Sequence, residues 1–129
     1  MILFDTHIWI WYLSGSSMLG ERERRIIADY AGDGFAVSMI SCWEVATLVE
    51  VQRIHLSQPV ENWLNTALSH PNIQAINLTT RIVVESTQLP QPFHRDPADQ
   101  IIVATARVLG IPLLTIDGKI LAYPHVQTL

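Results

Sequence analysis

Cysteine, charge and long apolar runs are all scarce in this chain of 129 residues. A single cysteine, Cys42, excludes an internal disulfide and suits a reducing cytoplasm. It lies next to Trp43 in an apolar stretch, which reads as a buried structural thiol rather than a nucleophile. No apolar run approaches the roughly 18–20 residues needed to span a bilayer. The N-terminus has no basic stretch and no small-residue cleavage site, so it does not read as a signal peptide. These absences lead us to expect a cytoplasmic protein without membrane association. Charged residues make up only 16% of the chain and hydrophobic residues 49%, so the interior should be well filled. Basic residues are few as well: eight Lys and Arg stand against twelve Asp and Glu, for a net charge of −4. That balance argues against a nucleic-acid binder, which neutralises phosphate with basic side chains. The objection weakens if the acids are gathered in one pocket that holds cations.

Repeats, low-complexity tracts and linkers are also missing, so residues 1–129 read as one domain. The pattern that is present alternates short apolar strands with helices. Ile2–Phe4, Phe35–Ser38, Ile73–Leu78 and Pro112–Ile116 read as strands, and Val126–Thr128 as a fifth. A short helix over His7–Leu13 has Thr6 at its start, and a second runs from Gly20 to about Ala31. In SCWEVATL, Ser41 is the expected N-cap and Glu44 closes a capping box. Pro59 opens a helix to about Leu68, and Thr79–Gln88 forms another. In RDPADQIIVATARVLG, Asp96 caps a helix with Pro97 at its first position and Gly110 just past its end. Gly118–Leu121 reads as a short helical turn. Strands separated by helices predict an α/β fold whose mostly parallel sheet is covered on both faces.

Such sheets place their chemistry at the carboxyl ends of the strands. Asp5 and Asp117 stand at two of those ends, Glu44 follows the second strand, and Asp96 and Asp99 open the helix that leads into the fourth. Each has a structural explanation alone: a capping box for Glu44, a cap for Asp96, the helix dipole for Asp99 and a turn for Asp117. Asp5 is the exception, because an unpaired carboxylate at a buried strand end is costly. Brought to one rim, the acids repel unless a cation joins them. Mg²⁺ or Mn²⁺, hard and oxygen-seeking, supplies that compensation, and a carboxylate site of this kind suits phosphodiester hydrolysis. The five histidines are scattered and show no zinc spacing.

Four blocks in order, MILFDTHIWIW, SCWE, HRDPADQIIVATA and LLTIDGKI, resemble the PIN-domain ribonucleases, and among them most nearly the VapC toxins of type II toxin–antitoxin modules. The resemblance covers essentially the whole chain and implies a PIN-like three-layer fold. It matches Asp5, Glu44, Asp99 and Asp117 to the family's acidic quartet, which binds Mg²⁺ with Mn²⁺ able to substitute. Asp96 matches a recurrent acid that caps the helix and reaches the metal through water. Thr6, Ser41 and Thr115 match hydroxyls that orient the carboxylates. The implied activity is an endoribonuclease that cuts structured RNA of the tRNA or rRNA class and stops translation. The implied partners are a VapB-like antitoxin, seated in an apolar groove, and a second copy of the chain. Trp9, Trp11, Tyr12 and Trp63 are candidates for that groove, with core packing the alternative for Trp9 and Trp63. Arg95 is a candidate phosphate contact or plain surface, as are Arg22 and Arg25 in the basic cluster that also holds Arg24. His94 and Arg95 fit the motif, whereas Gln100 stands where arginine is frequent. His7 reads as the start of a helix rather than a base.

Three other readings fit less well. A phospho-accepting receiver domain needs paired acids after the first strand and an aspartate at the end of a central one. A haloacid-dehalogenase-like phosphatase needs an acid where His7 stands. A catalytically silent PIN module that only binds a protein or RNA partner has no need of four carboxylates in one place.

Overall fold

The computed structural model describes all of residues 1–129. Its elements are β1 (Ile2–Phe4), α1 (Thr6–Ser14), α2 (Glu21–Tyr30), a 3-10 turn at Ala31–Asp33, β2 (Phe35–Ser38) and α3 (Met39–Glu50). There follow α4 (Val60–Leu68), β3 (Ile73–Ile76), α5 (Thr80–Thr87), α6 (Pro97–Leu109), β4 (Leu113–Leu114) and α7 (Gly118–Leu121). The four strands form one sheet in the order β3-β2-β1-β4, and every pairing is parallel. None of the helices is long and apolar enough to cross a membrane.

Side chains alternate across a strand, so β1 feeds two cores at once. Ile2 and Phe4 point to one face and pack with Ile8, Trp9, Phe35, Val37 and Val45. Leu3 points to the other and packs with Ala36, Ile82, Ile102, Val103 and Ile120. α1, α2 and α4 therefore cover the first face, and α5, α6 and α7 the second. The result is the expected three-layer α/β arrangement. Each fully buried Leu, Ile or Phe contributes about 1.5–3 kcal/mol relative to exposure, which is why so short a β1 can sit at the centre of the sheet. Cys42 is buried in the first core, in keeping with a structural thiol.

Several boundaries differ from the sequence expectation. α3 starts directly after β2, and its N-cap is Ser38, whose hydroxyl accepts from the Ile40 N–H at 3.2 Å. Ser41 lies inside the first turn of α3, so the Ser41–Glu44 capping box does not form. No loop separates strand from helix, and the last strand residue therefore takes the capping role. β3 ends at Ile76 rather than Leu78, and β4 contains only Leu113 and Leu114. Beyond the fourth strand the Asp117 N–H is taken by the Thr115 side chain. The fifth strand reduces to an isolated parallel bridge between Leu113 and Thr128.

Replacing Ser38 with Ala should cost about 1 kcal/mol, the usual penalty for a lost cap, measured by denaturant unfolding. Amide exchange at Ile40 should quicken in Ser38→Ala and stay unchanged in Ser41→Ala. Quickened exchange at Trp43 or Glu44 in Ser41→Ala, with Ile40 unchanged in Ser38→Ala, would return the capping role to Ser41.

Candidate active site

Three of the five acids are themselves helix caps. Asp5 caps α1, with Oδ1 accepting from the Thr6 N–H at 2.8 Å. Asp96 caps α6, with Oδ1 accepting from the Asp99 N–H at 3.1 Å. Asp117 caps the short α7 through the Lys119 and Ile120 N–H groups, at 2.8 and 3.1 Å. The structural explanations offered for Asp96 and Asp117 thus hold, and they do not compete with a shared site. Capping is what aims these carboxylates, since each must face the N-terminus of its own helix. The positive ends of the helix dipoles partly offset the negative charge.

All five acids line one cavity of about 430 Å³, together with Thr6, His7, Trp11 and Ile116. No lysine, arginine or cysteine is among the lining residues. Glu44 reaches the cavity from the second turn of α3, three residues after Ser41, a spacing that sets both on one helix face.

Two threonine hydroxyls connect the acids. The Thr115 hydroxyl donates to Asp5 Oδ2 at 2.6 Å and accepts from the Asp117 N–H at 3.0 Å. The Thr6 hydroxyl donates to Glu44 Oε1 at 2.5 Å. Its single proton being committed there, Ser41 is the donor in the 2.8 Å contact between the Ser41 and Thr6 hydroxyls. The hydroxyls expected to orient carboxylates therefore all touch this cluster. Asp5 is their hub: it is 9% exposed, and both of its oxygens are held.

Burial pushes the Asp5 carboxyl above its ordinary value, against the lowering effect of the Thr115 and Thr6 hydrogen bonds. Glu44 rises to about 7, chiefly through burial, partly offset by the bond from Thr6 and reinforced by the charges of Asp5, Asp99 and Asp96. Asp99 is also raised by burial, while its bond with His94 acts to lower it. Burial likewise pushes the Cys42 thiol up, in keeping with a structural thiol. No three His, Cys, Asp or Glu side chains are gathered closely enough to chelate an ion as they stand. Each carboxylate is instead turned toward a donor of the protein. Glu44 Oε2, Asp96 Oδ2, Asp99 Oδ1 and Asp117 Oδ2 remain without a protein donor.

Sequence reasoning passed over one close partner. His94 Nε2 lies 2.7 Å from Asp99 Oδ2, and its Nδ1 is buried without a partner. The tautomer with its proton on Nε2 satisfies the carboxylate and strands no buried N–H. The available signal was position: His94 lies two residues before the Asp96 cap, where the chain turns back over the first helical turn that carries Asp99. His7 is exposed on the cavity wall, its ring 5.6 Å from that of Trp11. It is thus part of the site's lining as well as of α1.

Other assignments move away from the cavity. Trp9 is completely buried, with Trp63 packed edge-on against it at 5.5 Å, so Trp9 belongs to the core and not to a groove. Tyr12 is partly buried on Phe4 and Phe35. The most exposed tryptophan is Trp43 on α3. Arg22 and Arg25 are paired with Glu23 and Glu21 on the surface of α2, at 3.5 and 3.3 Å. Arg95 lines a different cavity with Gln91 and Gln100.

With this geometry established, comparison with known proteins is informative. The model of the PIN domain family matches residues 2–126. Ribonuclease VapC22 of Mycobacterium tuberculosis is 32% identical over 124 residues, spanning 96% of this chain and 92% of that protein. A toxin–antitoxin complex from Klebsiella pneumoniae superposes with a TM-score of 0.68 at 26% identity, covering 100% of this chain and 96% of the other. VapBC2 from Rickettsia felis, solved bound to a promoter DNA fragment, gives 0.72 over 100% and 98% of the two chains; at 16% identity it speaks to the fold alone. Matched over nearly its whole length, the chain belongs to the PIN-domain family, within which it groups with the VapC proteins.

Proposed function

We propose that this protein is an endoribonuclease toxin that uses a divalent cation to cleave structured cellular RNA of the tRNA or rRNA class in the cytoplasm. On this reading residues 1–129 act as a single PIN domain, form a homodimer, and are neutralised by a VapB-like antitoxin. One observation carries it: five carboxylates from four separate chain segments line one cavity that has no lysine or arginine in its lining. Likeness to a protein named as a ribonuclease and to toxin–antitoxin complexes supports the same reading.

The donor set suits Mg²⁺, or Mn²⁺ in its place, because it is made of carboxylate oxygens with no lysine or arginine in the same cavity. Asp5, Glu44, Asp99 and Asp117 would hold the ion, with Asp96 at the edge of the set. When bound, the ion would lower the pKa of a water and neutralise charge on the scissile phosphate. The chain's own groups do the rest. Thr115 and the Thr6 N–H fix the Asp5 carboxylate in one orientation. His94 does the same for Asp99. Thr6, itself backed by Ser41, holds Glu44 Oε1 in place, and a bound cation would relieve the burial and like charge that raise this carboxyl to about 7 in the metal-free protein. A second reading, a module that binds without cutting, draws on the carboxylates' failure to close on one point as they stand.

Purified protein should cleave RNA in Mg²⁺ or Mn²⁺ and stop in EDTA, and Asp5→Asn and Asp99→Asn should fall to the no-enzyme background. Cleavage that persists in both variants, or in EDTA, would sink the metallonuclease reading; RNA binding without cleavage would favour the silent module.

Thr115→Val removes the bond to Asp5 without changing size, and should lower metal affinity or kcat by about ten- to a hundredfold with the fold intact. Isothermal titration with Mn²⁺ and near-UV circular dichroism would check both parts.

The raised carboxyls also set a pH dependence. The folded chain binds these protons more tightly than the unfolded one, so their contribution is complete below the ordinary glutamate value of 4.5 and disappears as pH rises through about 7. The Tm of metal-free protein should therefore fall between about pH 5 and pH 8. Glu44→Gln should flatten that slope, and added Mg²⁺ should restore Tm at the upper end, because the ion takes the place of the protons. A slope identical in wild type and Glu44→Gln would contradict this assignment.

A further inference from the structure

A second cleft, of about 520 Å³, adjoins the acid cavity and is lined by Pro92, Phe93, His94, Lys119, Ala122 and Tyr123. Two residues join the two spaces. His94 lines the second cleft while its Nε2 contacts Asp99 of the first. Lys119 lines the second cleft while its backbone N–H is held by Asp117 of the first. One direction in which a strand can leave the acids thus leads past His94 and Lys119 into this cleft.

The cleft's chemistry is the opposite of the acid cavity's. Its wall is aromatic: the Phe93 ring lies 4.4 Å from Tyr123 and 4.3 Å from His94, at tilts of 45° and 50°. Tyr123 forms a buried base whose hydroxyl donates to the Pro90 carbonyl at 2.6 Å, so the wall is held in place before any ligand arrives. Tyr123 is buried in the second core, whereas Phe93 packs on that core and His94 on Asp99 with part of each ring left exposed along the cleft. Lys119 is the sole lysine of the sequence, is exposed, and makes no ion pair. It is also the only cationic side chain lining either space, apart from the histidines.

Resting on the nuclease reading above, we propose that this cleft is a nucleotide subsite, in which Phe93 and His94 take the base next to the scissile bond and Lys119 takes its flanking phosphate. An unstacked base on an aromatic face is the usual mode of recognising single-stranded RNA, with a modest base preference set by how strongly each base stacks. A lone free lysine beside five acids supplies attraction where the strand would otherwise meet only negative charge.

The test uses the full chain, a random-sequence RNA pool in Mg²⁺, and sequencing of the product ends. Whether the wild type cuts at all tests the nuclease reading; which bases flank the cut tests the cleft. Wild-type ends should show a base preference on one side of the cut, and Phe93→Leu, which keeps apolar bulk but loses the ring, should flatten it. On an RNA chosen from the preferred ends, Lys119→Gln should raise KM about tenfold with kcat nearly unchanged. An abasic residue at the flanking position should cost the wild type about tenfold and cost Phe93→Leu little more than its own loss. Cleavage with the same preference in wild type and Phe93→Leu, or an equal abasic penalty in both, would overturn the subsite and leave the nuclease reading standing. Unchanged RNA kinetics in both variants, with weakened binding of the co-purifying antitoxin, would assign the cleft to a protein partner and overturn it too. An absence of any cleavage by the wild type would remove the nuclease reading and this inference together.

Discussion

A carboxylate cannot sit at the buried end of a central strand unless both its oxygens are answered, and Asp5 meets that condition through the Thr6 N–H and the Thr115 hydroxyl. The rest of the site is arranged around that requirement. Thr6 can serve Asp5 only because α1 begins immediately after β1, and that start also aims the Thr6 hydroxyl at Glu44. Thr115 can serve Asp5 only because β4 pairs with β1 in the register Phe4 to Leu114, bringing positions 110 apart in sequence side by side. The same Thr115 oxygen then ties back the backbone of Asp117. One buried acid thus links three chain segments through hydroxyl groups.

The carboxylates do double duty, which bears on how such a site is kept in a small protein. Asp5, Asp96 and Asp117 cap helices, so each repays part of its cost locally even before a cation arrives. Glu44 and Asp99 have no such return. They stand on helix turns facing the cluster, and burial with like charge raises both. Asp5, although a cap, is raised by burial as well, so capping does not exempt an acid from the cost of the cluster. The adjoining cleft carries the reverse character, apolar rings and a single lysine, so the molecule presents an acidic and a π-faced surface side by side.

Much of this was legible in the residues. Periodicity and caps located β1, α1, β2, the helix from Pro97 to Leu109 and its Gly110 stop, since all are local properties of the chain. The five acids were legible as a group because each abuts a strand end or a helix start. What failed did so for nameable reasons. The Ser-x-x-Glu pattern of Ser41 and Glu44 has the spacing of a capping box, but β2 runs straight into α3 and the cap falls to Ser38. The ends of the third and fourth strands and the fifth strand depended on which neighbour takes each backbone group, which periodicity does not encode. Trp9 was ambiguous because α1 is apolar nearly all round, and only packing against Trp63 decided its side. The arginines of ERERR looked free for a substrate, but the glutamates interleaved with them hold Arg22 and Arg25.

Taken by itself, then, the order of residues determined the alternation of strands and helices, the acids at their junctions and the family those blocks resemble. These follow from short-range preferences and from motif order, both written along the chain. Only the tertiary structure decided that His94 faces Asp99, that Thr115 holds Asp5, and that Lys119 and Phe93 share a cleft with the acid cavity for a neighbour. Those relations come from parallel pairing and layer packing, which join residues far apart in sequence through contacts that no local pattern specifies.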